Sequence, residues 1–314
     1  MLKIRNFIRN NLIYTTWKDN DIYPSLVYNN YWFQSFCDLI GFTTFRVNFW
    51  NFIAKRNHPF VGFYSPNVSS LPDKRLRLLY ENGYIIENNF LPESLFQKYA
   101  KIFDDAVDNF INSNEYKNNE KKQLRTTLNL IEYDLTEFED EMKKQLRPIT
   151  EYFYGKIKPI FRYELEISKD GTDYVSALAK WHMDRFIPSL KCQYFPLGVN
   201  DAPLSYIKGS HLIDKRFIKN SKFFTKSKNY HASSKKNMIL KDDVFFELCS
   251  DEQSNIVEFN NLEPNTLYIG AHQGLHRKKP FERKGFRVNI SIEFTHTYSK
   301  YKLIYNALKN SFRN

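Results

Sequence analysis

The residues of this 314-residue chain best suited to chemistry are a histidine and a carboxylate two positions apart, in Trp181-His182-Met183-Asp184. On an extended segment, residues i and i+2 project to the same side. His182 and Asp184 can therefore reach one metal ion. A third ligand must come from elsewhere. Among the seven histidines (58, 182, 211, 231, 272, 276 and 296), His276 is the best candidate, because it follows an apolar strand-like run, Leu267–Gly270. Two imidazoles and one carboxylate on one face suit a ferrous ion and leave three coordination positions open. Taken alone, His182 and Asp184 also fit a solvated surface pair.

An open metal needs a co-substrate. Arg287 lies eleven residues after His276, with Asn289 and Ser291 on its side of an alternating segment. A guanidinium buried there requires an anion, and a planar carboxylate accepts two parallel hydrogen bonds from it. The competing reading is a plain salt bridge to Glu293 or Glu263. His272 and His276 are spaced as in a zinc hydrolase, but Gln273 stands where that chemistry needs glutamate and Gly274 weakens a helix.

Two helices and a set of strands must position these groups. Leu91-Pro92-Glu93-Ser94 opens a helix whose apolar residues, from Leu95 to Ile111, recur in steps of three and four. Residues 112–124 are polar and read as a loop. A second helix carries Leu135, Phe138, Met142 and Leu146 on one side, with Pro148 as its stop. The period then changes to two. Phe161, Tyr163, Leu165 and Ile167 alternate with polar residues. Leu190–Leu197, Leu204–Ile207, Ile256–Phe259 and Leu267–Gly270 are further short strands. In the last strand Phe286, Val288, Ile290, Ile292 and Phe294 face away from Arg287, Asn289 and Ser291. Many short strands between turns predict an all-β sandwich or barrel with the helices packed outside.

Composition sets the outer limits. Aromatic residues are 17% and hydrophobic residues 42% of the chain, enough for a sizeable core, which excludes a wholly disordered protein. Three cysteines, none in a C-x-x-C pair, form neither a disulfide framework nor a thiolate zinc site. They predict a reduced, cytoplasmic protein. The longest uncharged stretches, 22–37 and 57–72, are 16 residues each and contain proline, asparagine and serine, so no spanning helix is expected. The formal net charge of +11 favours anionic partners.

Two regions carry charge or apolar surface without a motif. Residues 31–54 are aromatic-rich, either packing on the main core or contacting a membrane surface or a partner. Residues 215–241 hold nine basic residues and no acid. They read as a solvated loop, or as a lid whose Lys215 and Arg216, with Arg185 near the mouth, meet an anionic substrate group. Basic residues with aromatics can also bind single-stranded nucleic acid, but no recognised nucleic-acid motif is present.

Four segments together resemble the phytanoyl-CoA dioxygenase family of Fe(II)- and 2-oxoglutarate-dependent oxygenases. They are Asn82–Ile86 through Leu91-Pro92-Glu93 and its helix; Trp181–Asp184; Ala202–His211; and His276 to Arg287. They cover residues 75–298, and residues 1–74 match nothing recognised. The resemblance implies a mainly β fold with flanking helices (α+β), its core a double-stranded β-helix of the jelly-roll, cupin-like kind. It implies that His182, Asp184 and His276 bind iron, that Arg287 grips the far carboxylate of 2-oxoglutarate, and that O2 takes the remaining position. The retained Asp184 favours hydroxylation or another oxidation over the halogenation of relatives that lack this carboxylate.

The sequence departs from the family in three places. Asn265-Thr266 replace a usual glycine-aspartate. Lys208 replaces proline before Gly209-Ser210-His211, where His211 is read as structural or as supporting the metal ligands. Lys278 replaces a small hydroxyl residue two after the distal histidine, so a second contact to 2-oxoglutarate is assigned to Tyr194 or Gln193.

The expectation is a 2-oxoglutarate-dependent dioxygenase, 75–314, that hydroxylates a small or carrier-linked metabolite. Residues 1–74 have no assigned role. The alternatives are a nucleic-acid oxygenase with the same metal chemistry and a jelly-roll binding protein without turnover.

Overall fold

In a computed structural model of the chain, the residues described are 71, 73–119, 121, 123–154, 159–169, 181–183, 190–201, 203–211, 238–239, 255–271 and 274–294. Most of 1–74 and 215–241, including the aromatic stretch 31–54, lies outside them.

Helix α1 (Lys74–Asn82) begins where the Asp73 side chain accepts the Arg75 backbone N–H at 2.7 Å, and ends at Gly83, φ +85°. Asp73 and Gly83 are start and stop signals of the usual kind. They reveal a helix that the short apolar pattern of this segment does not. Strand β1 (Tyr84–Glu87) follows, then α2 (Glu93–Asn112), a single turn α3 (Asn114–Lys117) and strand β2 (Gln123–Thr127). The polar stretch expected as loop thus contains a helical turn and reaches an edge strand.

Helix α4 (Thr136–Tyr154) runs through Pro148, the residue expected to stop it. A mid-helix proline costs roughly 3 kcal/mol. Leu146 and Ile149 on either side of it are buried in the core, and each contributes roughly 2 kcal/mol. Packing therefore outweighs the lost backbone bond.

The remaining strands are β3 (Pro159–Ser168), β4 (His182–Met183), β5 (Leu190–Phe195), β6 (Leu204–Ile207), β7 (Met238–Ile239), β8 (Ile256–Phe259), β9 (Thr266–Ala271), β10 (His276–Lys278) and β11 (Gly285–Phe294). They form a six-stranded sheet, β1-β9-β5-β11-β3-β2, and a five-stranded sheet, β7-β4-β10-β6-β8, and every pairing is antiparallel. From β3 onward the chain alternates between sheets, except that β6, β7 and β8 all fall in one. The eight strands β3, β4, β5, β6, β8, β9, β10 and β11 thus make a jelly roll. Strands β1 and β2 extend one sheet at its two edges, and β7 extends the other.

Side-chain alternation sorts the six-stranded sheet into two faces. Leu165, Ile167, Cys192, Tyr194, Leu267, Ile269, Val288, Ile290 and Ile292 join one core with Tyr99, Phe103, Phe138, Met142 and Leu146 of α2 and α4. The other face looks into the roll. There Phe195, Tyr206, Phe259 and Tyr268 make a second, smaller apolar cluster, and the polar residues described below fill the rest.

Asn265 locks the turn before β9. It sits at φ +61°, a left-handed conformation that asparagine tolerates better than most residues. Its side chain accepts from Leu91 N–H at 2.9 Å and from the Tyr194 hydroxyl at 3.0 Å, and donates to the Leu91 carbonyl at 2.9 Å. A buried amide thus does what a glycine turn would do, and also ties the roll to the start of α2. No described helix is long and apolar enough to cross a membrane.

Candidate metal and acid-binding site

His182 opens β4 and His276 opens β10, and the two are direct cross-strand partners. Both are buried, and their ring centroids lie 4.4 Å apart. His276 Nδ1 is 2.9 Å from the Gly274 carbonyl. A carbonyl only accepts, so Nδ1 carries a proton, and in the neutral ring Nε2 then carries the lone pair. That tautomer is the one in which Nε2 can ligate a metal, with the carbonyl fixing the ring from behind. The Tyr206 ring lies nearly parallel to it, centroids 6.4 Å apart. Asp184 lies outside the described residues, as do Arg185, Lys215 and Arg216.

Arg287 projects from the inner face of β11. Its cross-strand partner on β3 is Glu166, and the guanidinium donates to Glu166 Oε2. The two side chains are 3% and 7% exposed, so this is an interior ion pair. Lys278, from the facing sheet, reaches the same oxygen at 2.5 Å. Arg125 of β2 is 3.7 Å from Glu166 Oε1 and bonds Glu164 at 2.7 Å.

The antiparallel register selects Glu166 as partner over the two carboxylates offered by the sequence. Glu293 instead pairs with Arg162 at 3.1 Å. Burial alone would raise the Glu166 carboxyl, but the Arg287 and Lys278 charges hold it well below the usual carboxylate range. Burial, with Arg287 nearby, pushes the Lys278 ammonium down to about 8 against the pull of Glu166.

One cavity is lined by His182, His276 and Lys278 from one sheet and by Glu166 and Arg287 from the other. Gln193, Asn289 and Ser291 also line it, with Gln193 opposite Ser291 in the β5–β11 register. Tyr194 corrects the sequence reading. As the next residue on the strand it turns to the opposite face, where its ring meets Phe138 at 5.7 Å and its hydroxyl bonds Asn265. It holds the helices to the sheet and does not reach the cavity.

His211 is structural. Its Nε2 donates to the Tyr80 carbonyl at 2.7 Å, and Gly209 N–H donates to the Asn82 carbonyl at 3.0 Å. The Gly-Ser-His turn is thereby pinned to the end of α1. Burial pushes the His211 imidazole down to about 4. Trp181 is buried beside the histidine pair, with the Arg277 guanidinium 4.6 Å from its ring centre.

Sequence reasoning missed Glu166 as the partner of Arg287. The signal was present, because Glu164 and Glu166 alternate with the apolar face of β3. Only the pairing of β3 with β11 turns that alternation into a contact.

The chain matches no protein-family model and no curated protein. Solved structures similar to it include EctD from S. alaskensis with 2-oxoglutarate and 5-hydroxyectoine, at 12% identity and TM-score 0.47, covering 77% of this chain and 82% of that one. HygX from Streptomyces hygroscopicus, with nickel and 2-oxoglutarate bound, aligns at 8% identity and TM-score 0.47 over 73% of this chain and 88% of that one. A prolyl-4-hydroxylase from Pseudomonas putida aligns at 13% identity and TM-score 0.40 over 70% of this chain and 96% of that one. The jelly-roll assignment rests on strand order and register rather than on these likenesses.

Proposed function

We propose that the chain is an Fe(II)- and 2-oxoglutarate-dependent dioxygenase that oxidises a small or carrier-linked, anionic metabolite and releases succinate and CO2. The observation that carries this reading is the placement of two imidazoles and one interior arginine in a single cavity. His182 and His276 are donors of the right kind for a ferrous ion, and the Gly274 carbonyl holds His276 in the ligating tautomer. Asp184, two residues after His182, completes the donor set in this proposal. Such an ion, when bound, supplies the oxygen-activating redox chemistry of a three-ligand site.

The chain's own residues do the rest. Arg287 seats the far carboxylate of the keto-diacid, and Lys278 stands beside it as a second cation. Gln193 and Asn289 offer amide groups to the same space. Tyr206, Phe259 and Tyr268 form an apolar cluster inside the roll. The basic segment 215–241 is proposed to meet the anionic group of the substrate.

The test is succinate release. It should require Fe(II), 2-oxoglutarate and O2 together, and should vanish in Asp184→Ala and His182→Ala. Release that persists without added iron in a chelated sample would reject the reading.

A second reading, a jelly-roll binder without turnover, draws on one observation. Lys278 occupies the place of a small hydroxyl residue and bonds Glu166 across the cavity. Tight diacid binding with no iron uptake would favour it.

A further inference from the structure

We infer that Glu166 and Lys278 together set which anion the Arg287 seat accepts, a singly charged carboxylate end in preference to a doubly charged oxyanion. The inference rests on the reading of Arg287 as an acid seat, and adds the residues that give that seat its charge.

Among the described residues, the charged groups around Arg287 form one network whose charge can be counted. Arg287 and Lys278 both bond Glu166 Oε2, and Arg125 approaches Glu166 Oε1 at 3.7 Å while bonding Glu164 at 2.7 Å. Asn289 Nδ2 also donates to Glu164 at 3.3 Å. Three cations and two carboxylates leave a net charge of 3 − 2 = +1. Arg287 and Glu166 are buried at 3% and 6% exposure. Charge left uncompensated at such a place is penalised heavily. One carboxylate brings the network to neutrality; a dianion overshoots it by one.

The other described bases lining the cavity, Arg277 and Lys191, do not alter this count. Arg277 lies over Trp181 and 3.7 Å from Glu258. Lys191 adjoins Cys192, which pairs with Ile292; that places it about six strand positions, or ~20 Å, from Arg287 along the sheet.

Glu166 thus acts as an internal counter-charge. Its removal turns a +1 seat into a +2 seat without changing the shape of the side chain. Removal of Lys278 makes the seat neutral. Both are positioning and specificity residues, since they act on the ligand through the charge they share with Arg287.

The experiment is calorimetric titration of the full-length chain at pH 7 with two probes. Glutarate carries the carboxylate end of a keto-diacid but has no oxo group to chelate a metal, and sulfate is a dianion at every pH of interest. The wild type is expected to bind glutarate and discriminate against sulfate. Glu166→Gln should narrow that preference at least tenfold by strengthening sulfate. Lys278→Met should weaken glutarate at least tenfold. Glu166→Asp, which keeps the charge, should retain the wild-type preference, and the Lys278→Met result stands as an independent reading if the glutamine variant does not fold.

An unchanged glutarate-to-sulfate ratio in Glu166→Gln, or unchanged glutarate binding in Lys278→Met, overturns the inference. Arg287→Met separates the two levels. Loss of glutarate binding there keeps the acid seat even if the charge argument fails, whereas undiminished binding removes the seat and this inference with it.

Discussion

His182 and His276 face one another directly across the β4–β10 pair, with imidazole centroids 4.4 Å apart. They are 94 residues apart in sequence and meet only because the jelly roll lays β4 and β10 side by side. Each strand is very short, two and three residues. The pair is therefore held by its neighbours, β6 and β7, rather than by its own ladder.

Gly274 is the first such neighbour to test. Its carbonyl accepts from His276 Nδ1, and a Cβ at this position would overlap the Tyr206 hydroxyl. Gly274→Ala should therefore shift either the buried Tyr206 ring or the backbone that orients His276. Metal affinity is expected to fall by about 10- to 100-fold, the range seen when groups supporting a metal ligand are lost. Metal titration checks it, and circular dichroism should show the fold retained.

Arg287 makes a prediction in binding and in stability together. Arg287→Met should weaken 2-oxoglutarate by at least about 100-fold, as expected when a buried charged partner is removed. It should also lower the melting temperature, because, among the described residues, Glu166 then keeps only Lys278 as a partner on Oε2. Arg287→Lys should not rescue binding, since an ammonium lacks the planar fork that matches a carboxylate. Calorimetry and thermal melts on the same samples read both effects.

Asn265 predicts a large loss of stability far from the cavity. Asn265→Ala removes three buried hydrogen bonds and leaves a residue with a Cβ at φ +61°. The loss should be about 3 kcal/mol or more, since Leu91 and Tyr194 are left with unpaired groups. Asn265→Gly relieves the backbone and should recover only a small part. Urea denaturation measures the difference.

Acid should destabilise the fold through His211. Its folded pKa is about 4 against an ordinary value of 6.5, so the folded state favours the neutral ring. The associated stability is complete above pH 6.5 and is lost as pH falls from there through 4. A difference of that size corresponds to about 3 kcal/mol. Melting temperature should fall over this window, and His211→Gln, which stays neutral and can still donate to the Tyr80 carbonyl, should flatten the fall. Equal slopes in the two proteins would contradict the assignment.

How much of this was legible in the sequence depended on where the information sits. Helix α2 and strands β3 and β11 were readable from period alone, because each has one face in a large core. Strand β2 was not, since an edge strand of Gln-Leu-Arg-Thr-Thr has little apolar alternation to show. Pro148 misled because local propensity pointed one way and the packing of Leu146 and Ile149 the other. At the site, the histidines and Arg287 stood out by type and spacing, whereas Glu166 needed the β3–β11 register to become a partner. Tyr194 was assigned to the wrong face although its own strand alternates. Gln193 and Tyr194 are consecutive, and only one of them can look into the roll.

The most direct test of the central claim is anaerobic titration of the full-length protein with Fe(II). The account predicts one ion per chain in the wild type, with uptake lost in both His182→Ala and His276→Ala. Stoichiometric binding that survives both substitutions, or no binding at all by the wild type, would contradict it.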